Sequence, residues 1–146
     1  MNIFITGANG FVGSALSRTL NSLPLVNLTV AARTVLPAEW GRSFKVCQID
    51  SRSDWSEGLV EQQCVIHTAA RVHVISDKVS DPLMEYRRVN VDGTIKLAQQ
   101  SAKAGVKRFI FLSSIKVNGE QTSIGKPFTA HDNPAPDDLY LSLIHI

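Results

Sequence analysis

The sequence has little of what marks a secreted, membrane-spanning or nucleic-acid-binding protein. Two cysteines occur among 146 residues, and Cys47 and Cys64 have neither CxxC spacing nor the spacing of metal ligands. We expect both to be reduced and buried as small apolar side chains in a cytoplasmic protein. A net charge of +2 gives no electrostatic case for nucleic acid or an anionic membrane. No apolar run approaches a membrane span, and no secretory signal pattern precedes the first apolar residues.

Strand-like and helix-like patterns alternate along the chain. Short apolar runs at residues 2–6, 28–35, 44–50, 64–70 and 107–114 predict five strands. Apolar residues recur at helical spacing from Gly10 to Leu20, and a long helix is predicted from an Asp-Pro start at residue 81 to Gly105. Strands joined by crossover segments form a parallel sheet covered on both faces. We therefore predict an α/β, doubly wound parallel sheet, with a surface loop over residues 116–138.

Three glycines lie in the segment TGANGFVG, between the first strand and the first helix. In a dinucleotide-binding turn one glycine permits the tight turn, one lets the backbone approach a pyrophosphate, and one lets the helix pack close to the strand. The helix N-terminus then offers N–H groups and a partial positive charge to the phosphates. The alternative is an ordinary turn. We predict that NAD or NADP binds at Gly7, Gly10, Phe11, Val12 and Gly13.

Two charged residues bear on how a dinucleotide would be held. Arg33 follows the second strand and no acid occurs before Glu39, which favours the 2′-phosphate of NADP over NAD. A solvated surface arginine is the alternative interpretation. Asp50 ends the third predicted strand, where it would accept a hydrogen bond from the adenine amine. Its alternative role is to cap the segment that follows it.

The chain resembles the extended short-chain dehydrogenase/reductase family, and within it the NAD(P)-dependent epimerase/dehydratase group that acts on nucleotide sugars. The resemblance rests on motifs in the expected order: TGANGFVG, VIHTAA, RRVNVDGT, FIFLSSIKVNG and PAPDDLY. It looks most similar to bacterial UDP-N-acetylhexosamine 4-epimerases and 4-ketoreductases of surface-polysaccharide synthesis. The resemblance implies a Rossmann fold, a place for Ala69 and Ala70 at the cofactor, and an asparagine, Asn90, that shapes the long helix beside it.

The resemblance also implies a catalytic pair. Tyr140 matches the tyrosine that exchanges a proton with a sugar hydroxyl while hydride passes to or from the nicotinamide. Ser114 matches the serine that orients the reacting oxygen, and Ser113 is the alternative. The family places a lysine four residues after the tyrosine, where it lowers the tyrosine pKa, but this chain has Ile144 there and no lysine after Lys126. We therefore expect the 146-residue chain to lack turnover.

The last six residues, LSLIHI, match no element of that family. They match the in-frame translation of a common sequencing adapter, and as a natural tail they would expose an apolar patch. We predict that residues 1–140 are an incomplete dinucleotide-binding domain and that residues 141–146 are not native.

Three functions stay open at this level. The parent protein is interpreted as a UDP-glucose 4-epimerase-like enzyme with a UDP-sugar substrate, and a homodimer is its expected assembly. The alternatives are a ketone reductase for a non-sugar substrate, such as a flavonoid or steroid, and a non-enzymatic dinucleotide sensor. No metal, nucleic-acid or membrane partner is expected. His67 is interpreted as a packed strand residue, and Lys116 as a solvated loop lysine, with a substrate contact as the alternative.

Overall fold

A computed structural model describes residues 1–72, 81–137 and 139–143, with the backbone alone for Leu139 and Tyr140. One sheet contains five parallel strands, β1 (Asn2–Thr6), β2 (Asn27–Ala32), β3 (Arg42–Lys45), β4 (Cys64–His67) and β5 (Arg108–Phe111), in the order β3-β2-β1-β4-β5. The chain changes direction across the sheet between β1 and β4, and sheets of this kind bind ligands at that point. The predicted doubly wound parallel sheet is confirmed.

The helices are α1 (Phe11–Asn21), α2 (Pro82–Tyr86), α3 (Gly93–Lys103) and the short α4 (Leu139–Ser142). A π-helical segment (Arg87–Asp92) joins α2 to α3, so the predicted long helix exists but is not uniformly α-helical. Asp81 caps its start, because its Oδ1 accepts a hydrogen bond from the Met84 N–H at 3.0 Å. Single-turn 3₁₀ helices occupy Ala38–Trp40 and Ile115–Asn118. Within the described ranges, no helix is long and apolar enough to cross a membrane.

Four strands are shorter than the sequence predicted, because the ladder ends where the partner strand ends. Central β1 stops at Thr6, which pairs with Ala31 on one side and with His67 on the other. The outer strands end one residue beyond or level with these positions. Residues 46–50 and 112–114 are therefore loops at the carboxyl edge of the sheet, and Asp50 and Ser114 lie in those loops rather than in strands.

Both faces of the sheet are covered, which accounts for the continuous apolar runs of the strands. On β1, Phe4 points to one face, while Ile3 and Ile5 point to the other. The Phe4 face packs on α3 and on the loop after β3, and its buried residues are Phe4, Ala31, Val46, Trp55, Leu59, Val65 and Leu97. The opposite face packs on α1, with Ile3, Ile5, Ala8, Leu28, Val30 and Cys64 buried.

Two sequence predictions about burial need correction. Cys64 is buried as expected, but Cys47 is exposed, because it lies past the end of β3 in the loop that lines the carboxyl edge. In the described part of the tail, residues 141–143, the apolar side chains are covered rather than exposed. Leu141 and Leu143 are 4% and 8% exposed, and Leu141 packs with Val117 beside Phe111. Residues 144–146 lie outside the described ranges, and the non-native origin of residues 141–146 stays a prediction.

Candidate cofactor-binding site

A cleft of about 420 Å³ opens at the carboxyl ends of β1, β2, β3 and β4. Its walls are the turn after β1, the loops after the other three strands, and the long helix. Of the residues predicted to bind the cofactor, those that line the cleft are Gly7, Gly10, Arg33, Ala69 and Ala70. The structure thus brings together residues from three separate loops, and their binding of a cofactor stays a prediction. The predicted residues outside the lining are Phe11, Val12, Gly13, Asp50 and Asn90.

The glycine turn packs against its surroundings at two positions and is open at the third. Gly7 has φ +72°, and a Cβ there would lie 2.6 Å from the backbone N of Ala69. A Cβ at Gly13 would overlap the carbonyl oxygen of Gly7 and would lie 2.8 Å from Thr68 Oγ1. A Cβ at Gly10 would meet, among the described residues, only Gly7 O at 3.2 Å. Gly7 and Gly13 therefore serve packing, and Gly10 leaves backbone accessible from the cleft.

The N-terminus of α1 adjoins this turn. Gly10 is its N-cap residue and gives no side-chain cap, so the first-turn N–H groups are without that partner in the described structure. Phe11 is 96% exposed and Val12 is 42% exposed. Such a helix start attracts anions through its N–H groups and its dipole. Binding through Phe11 and Val12 stays a prediction about their backbone rather than their side chains.

The charged side chains of the cleft favour an anionic ligand. Among the described residues, Arg33, Arg71 and Arg88 line it together with one acid, Glu85, and Asp50 outside the lining also binds Arg88, which leaves an excess of one positive charge. Arg33 is exposed directly after the last residue of β2. A dinucleotide carries its negative charge on a diphosphate, so the cleft and the open backbone at Gly10 fit such a ligand.

Asp50 lies next to Ile49 in the loop after β3 and is 1% exposed. Burial alone would raise its pKa, but hydrogen bonds and charge from Arg52, with a hydrogen bond from Arg88, outweigh burial and lower the pKa. The Arg52 N–H donates to Oδ1 at 2.8 Å, and Arg88 Nη1 donates to Oδ2 at 2.8 Å. Asp50 is therefore an ionised carboxylate that caps its own turn, and its contact with adenine stays a prediction.

Arg88 is held on both sides by carboxylates. Besides Asp50, it binds Glu85, whose oxygens accept from Nε at 2.8 Å and from Nη2 at 2.6 Å. The hydrogen bond from Arg88 lowers the pKa of Glu85, and the same bond raises the pKa of Arg88. Sequence reasoning missed this pair. Its signal is the i, i+3 spacing of Glu85 and Arg88 in the helix that starts at Asp81.

His67 ends β4 and is the centre of a buried hydrogen-bond chain. Thr94 Oγ1 donates its single proton to the Asn90 carbonyl at 2.7 Å, so it accepts from His67 Nε2 at 2.9 Å. His67 Nδ1 then accepts from Thr6 Oγ1 at 2.5 Å. Burial lowers the pKa of His67 to about 4. The imidazole is neutral and packed, as the sequence predicted, and it connects β1 to the long helix.

Asn90 lies in the π-helical segment and is 4% exposed. Its Oδ1 accepts from the Arg71 N–H at 2.7 Å, and its Nδ2 donates to the Arg71 carbonyl at 2.9 Å. π-Helical segments often occur at functional sites, where they reorient a side chain. Asn90 therefore supports the cleft indirectly, by fixing the loop after β4 that forms its wall.

Ser114, one of the two predicted catalytic residues, is not among the described residues that line the cleft. Ser114 Oγ accepts from the Lys116 N–H at 3.3 Å and starts a 3₁₀ turn, and Ser113 and Lys116 are exposed. The backbone of Tyr140 belongs to α4, which packs on that 3₁₀ turn through Leu141. The segments of the predicted pair are thus neighbours, and their roles stay predictions. The side chain of Tyr140, together with His73, Ile144 and His145, lies outside the described part. In the described ranges, no group of three His, Cys, Asp or Glu could hold a metal ion.

The fold and the cleft define an α/β domain of the doubly wound, ligand-binding class. Residues 3–141 match the NAD dependent epimerase/dehydratase family, and the chain belongs to that family.

Relatives of known identity agree with this membership. The chain is 45% identical over 139 residues to a UDP-glucose 4-epimerase of Vibrio cholerae, a match that covers 95% of this chain and 42% of that relative. It is 35% identical over 136 residues to a UDP-glucose 4-epimerase of Klebsiella pneumoniae, a match that covers 85% of this chain and 96% of that relative. The solved structure of MoeE5 in complex with UDP-glucose and NAD superimposes with a TM-score of 0.81 at 27% identity, over 98% of this chain and 45% of that one. The chain thus spans less than half of the Vibrio relative.

Proposed function

We propose that this chain supplies the dinucleotide-binding part of an NAD(P)-dependent nucleotide-sugar epimerase or dehydratase. The observation that carries the proposal is the glycine turn, which leaves the Gly10 backbone open to a cleft with excess positive charge. Relatives named as UDP-glucose 4-epimerases, and a related structure with bound NAD and UDP-glucose, support a UDP-sugar as substrate. A homodimer and a cytoplasmic location stay predictions from the sequence.

Each wall of the cleft has a separate task in this proposal. The turn from Gly7 to Gly13 and the start of α1 hold the diphosphate through backbone N–H groups. Ala69 and Ala70 have no bulky side chain and let the dinucleotide lie on the carboxyl end of β4. Asn90 keeps that loop in place through Arg71. When bound, the nicotinamide supplies the acceptor and donor of hydride.

The proton chemistry is assigned to Tyr140 and Ser114. We propose that Tyr140 exchanges a proton with the sugar hydroxyl and that Ser114 orients the reacting oxygen. A tyrosine has an ordinary pKa near 10, so this role needs a nearby cation. Position 144, where the family places that cation, is Ile144. We therefore assign turnover to the longer enzyme and dinucleotide binding to this chain.

We propose that Arg33 gives the cleft a preference for NADP over NAD. Arg33 is exposed on the cleft directly after β2, where a 2′-phosphate would be placed. Calorimetry of the 146-residue chain with each dinucleotide is the test. We expect NADP to bind more tightly, and Arg33→Ala to weaken NADP about tenfold while NAD changes less than about twofold, as for loss of one charged hydrogen bond.

The matched control is Arg108→Ala, because Arg108 is exposed at the amino end of β5, away from the cleft. It should leave both affinities unchanged. A wild-type preference for NAD would refute the NADP assignment and leave the dinucleotide site standing. Failure of the chain to bind either dinucleotide would refute the site itself.

A further inference from the structure

Arg88 lines the cleft with three of its five N–H donors already bound to carboxylates. Nε and Nη2 donate to Glu85, and Nη1 donates to Asp50. The Arg88 side chain is nevertheless 35% exposed, whereas the Asp50 side chain is 2% exposed. What this guanidinium still offers to a ligand is its planar face and one further N–H on each Nη.

The charges around Arg88 make it a poor phosphate site. Its single positive charge is shared by two carboxylates, Glu85 and Asp50, at hydrogen-bond distance. A phosphate placed there would be repelled by both acids, while the glycine turn offers backbone N–H groups without that repulsion. A guanidinium face instead attracts the π-system of an aromatic ring or a nucleobase.

Apolar side chains line the cleft together with Arg88. They include Ile49 in the loop after β3 and Val89 beside Arg88 in the chain. The long helix approaches the loop after β3 closely, since a Cβ at Gly93 would lie 2.5 Å from Ile49 Cγ2. This close approach fixes the position of Ile49 beside the segment that carries Arg88 and Val89.

We propose that Arg88 is a base-binding residue of the cleft, and that its guanidinium face stacks on the adenine ring of the bound dinucleotide. This inference rests on the proposed function of the cleft. It differs from the predicted contact of Asp50 with the adenine amine, because stacking requires the ring and not the amine. Glu85 and Asp50 act as positioning residues that hold the guanidinium plane.

The test is Arg88→Lys, which keeps the positive charge and removes the planar face. Calorimetry of the 146-residue chain would compare ADP, purine riboside 5′-diphosphate, which lacks the 6-amine, and inorganic pyrophosphate, which lacks the base. We expect the Kd of both nucleotides to rise about fivefold to tenfold, and that of pyrophosphate to change less than about twofold. The matched control is Arg87→Lys, at an exposed neighbouring arginine that does not line the cleft.

Each other pattern of affinities overturns the inference. Weakening of ADP alone would mean that Arg88 acts only by holding Asp50 against the amine, and equal weakening of pyrophosphate would mean a charge or folding effect. If wild-type chain fails to bind ADP at all, the proposed function falls with it. If the Arg88→Lys variant does not fold, the wild-type chain saturated with ADP provides the test. Stacking predicts nuclear Overhauser effects between adenine H2 or H8 and the Arg88 Hδ protons. Their absence would overturn the inference.

Discussion

His67 shows how one buried residue makes the fold sensitive to pH. Its Nδ1 accepts from Thr6 and its Nε2 donates to Thr94, so both nitrogens have fixed roles only while the ring is neutral. Protonation would place a second N–H against the Thr6 hydroxyl. The rings of Phe109 and Phe111 also face His67, and these neighbours from β1, β5 and α3 are uncharged. Nothing among them would compensate a buried positive charge.

We predict that this histidine destabilises the fold in mild acid. Its pKa is about 4 in the folded state and about 6.5 when unfolded, so the unfolded state binds the extra proton between these values. Stability is therefore complete above pH 6.5 and is lost as the pH falls, by about 2 kcal/mol at pH 4.5. Urea unfolding at a series of pH values measures this loss. Above pH 4.5 the carboxylates, whose ordinary pKa values lie below it, contribute little.

Two variants isolate the effect. His67→Gln removes the titrating ring and should flatten the dependence between pH 6.5 and 4.5, whatever its stability at neutral pH. His131→Gln changes an exposed histidine and should retain the wild-type slope. An unchanged slope in His67→Gln would show that another group titrates in this window.

In the strand–turn–helix element from β1 to α1, one glycine serves packing and another leaves backbone open for binding. Gly13 packs against Gly7 and Thr68, whereas Gly10 has one close neighbour among the described residues. Alanine would gain about 1 kcal/mol of helix propensity at Gly13, but the overlap with Gly7 O must move backbone, which costs more.

We predict that alanine at Gly13 lowers stability, whereas alanine at Gly10 weakens cofactor binding. Gly13→Ala should lower the free energy of unfolding by about 2 kcal/mol or more, because the helix must shift away from the turn. Gly10→Ala should change it by less than about 1 kcal/mol and weaken NAD binding at least tenfold, because the methyl group keeps the diphosphate from the backbone. Urea unfolding and calorimetry measure the two quantities. If Gly10→Ala bound NAD normally, the open backbone would not be the phosphate site.

The π-helical segment of the long helix lies where side chains bind backbone groups. Asn90 binds both backbone groups of Arg71, and the Thr94 side chain takes the Asn90 carbonyl. A side chain that donates a hydrogen bond to a helix carbonyl competes with the backbone N–H that would otherwise bind it. The Asp-Pro start and Gly105 predicted the helix and both of its ends, but they contained no sign of the π-helical segment, because Asn90 binds Arg71 in the loop after β4.

At the scale of the whole molecule, an apolar core covers each face of the sheet, and Trp55 is buried in the core on the Phe4 face. It is 0% exposed and meets the Phe4 ring edge-on, with centroids 6.0 Å apart. Trp55 belongs to no regular element, so composition and periodicity gave no reason to place it in the core. The other tryptophan, Trp40, is half-buried under the guanidinium of Arg18.

We predict a large difference between the two tryptophans. Trp55→Ala should lower the free energy of unfolding by about 3–5 kcal/mol, a large part of the about 5–15 kcal/mol typical of a domain. Trp40→Ala should cost about 1 kcal/mol, because water already reaches its ring. Far-ultraviolet circular dichroism during urea unfolding measures both without relying on tryptophan fluorescence. Equal losses would contradict the assignment of Trp55 to the core.

The sequence by itself determined the fold class and the glycine turn, because both depend on local pattern: apolar runs, helical spacing, and glycines between a strand and a helix. Arg33, predicted from its place after the second strand, and Ala69 and Ala70, implied by the family resemblance, line the cleft, and their contacts with a cofactor stay predictions. Only the tertiary structure decided the strand ends, the exposure of Cys47, and the Asp50–Arg88–Glu85 cluster. These depend on contacts between distant segments: a strand ends where its neighbour stops pairing, and Arg88 is joined to Asp50, 38 residues away in sequence.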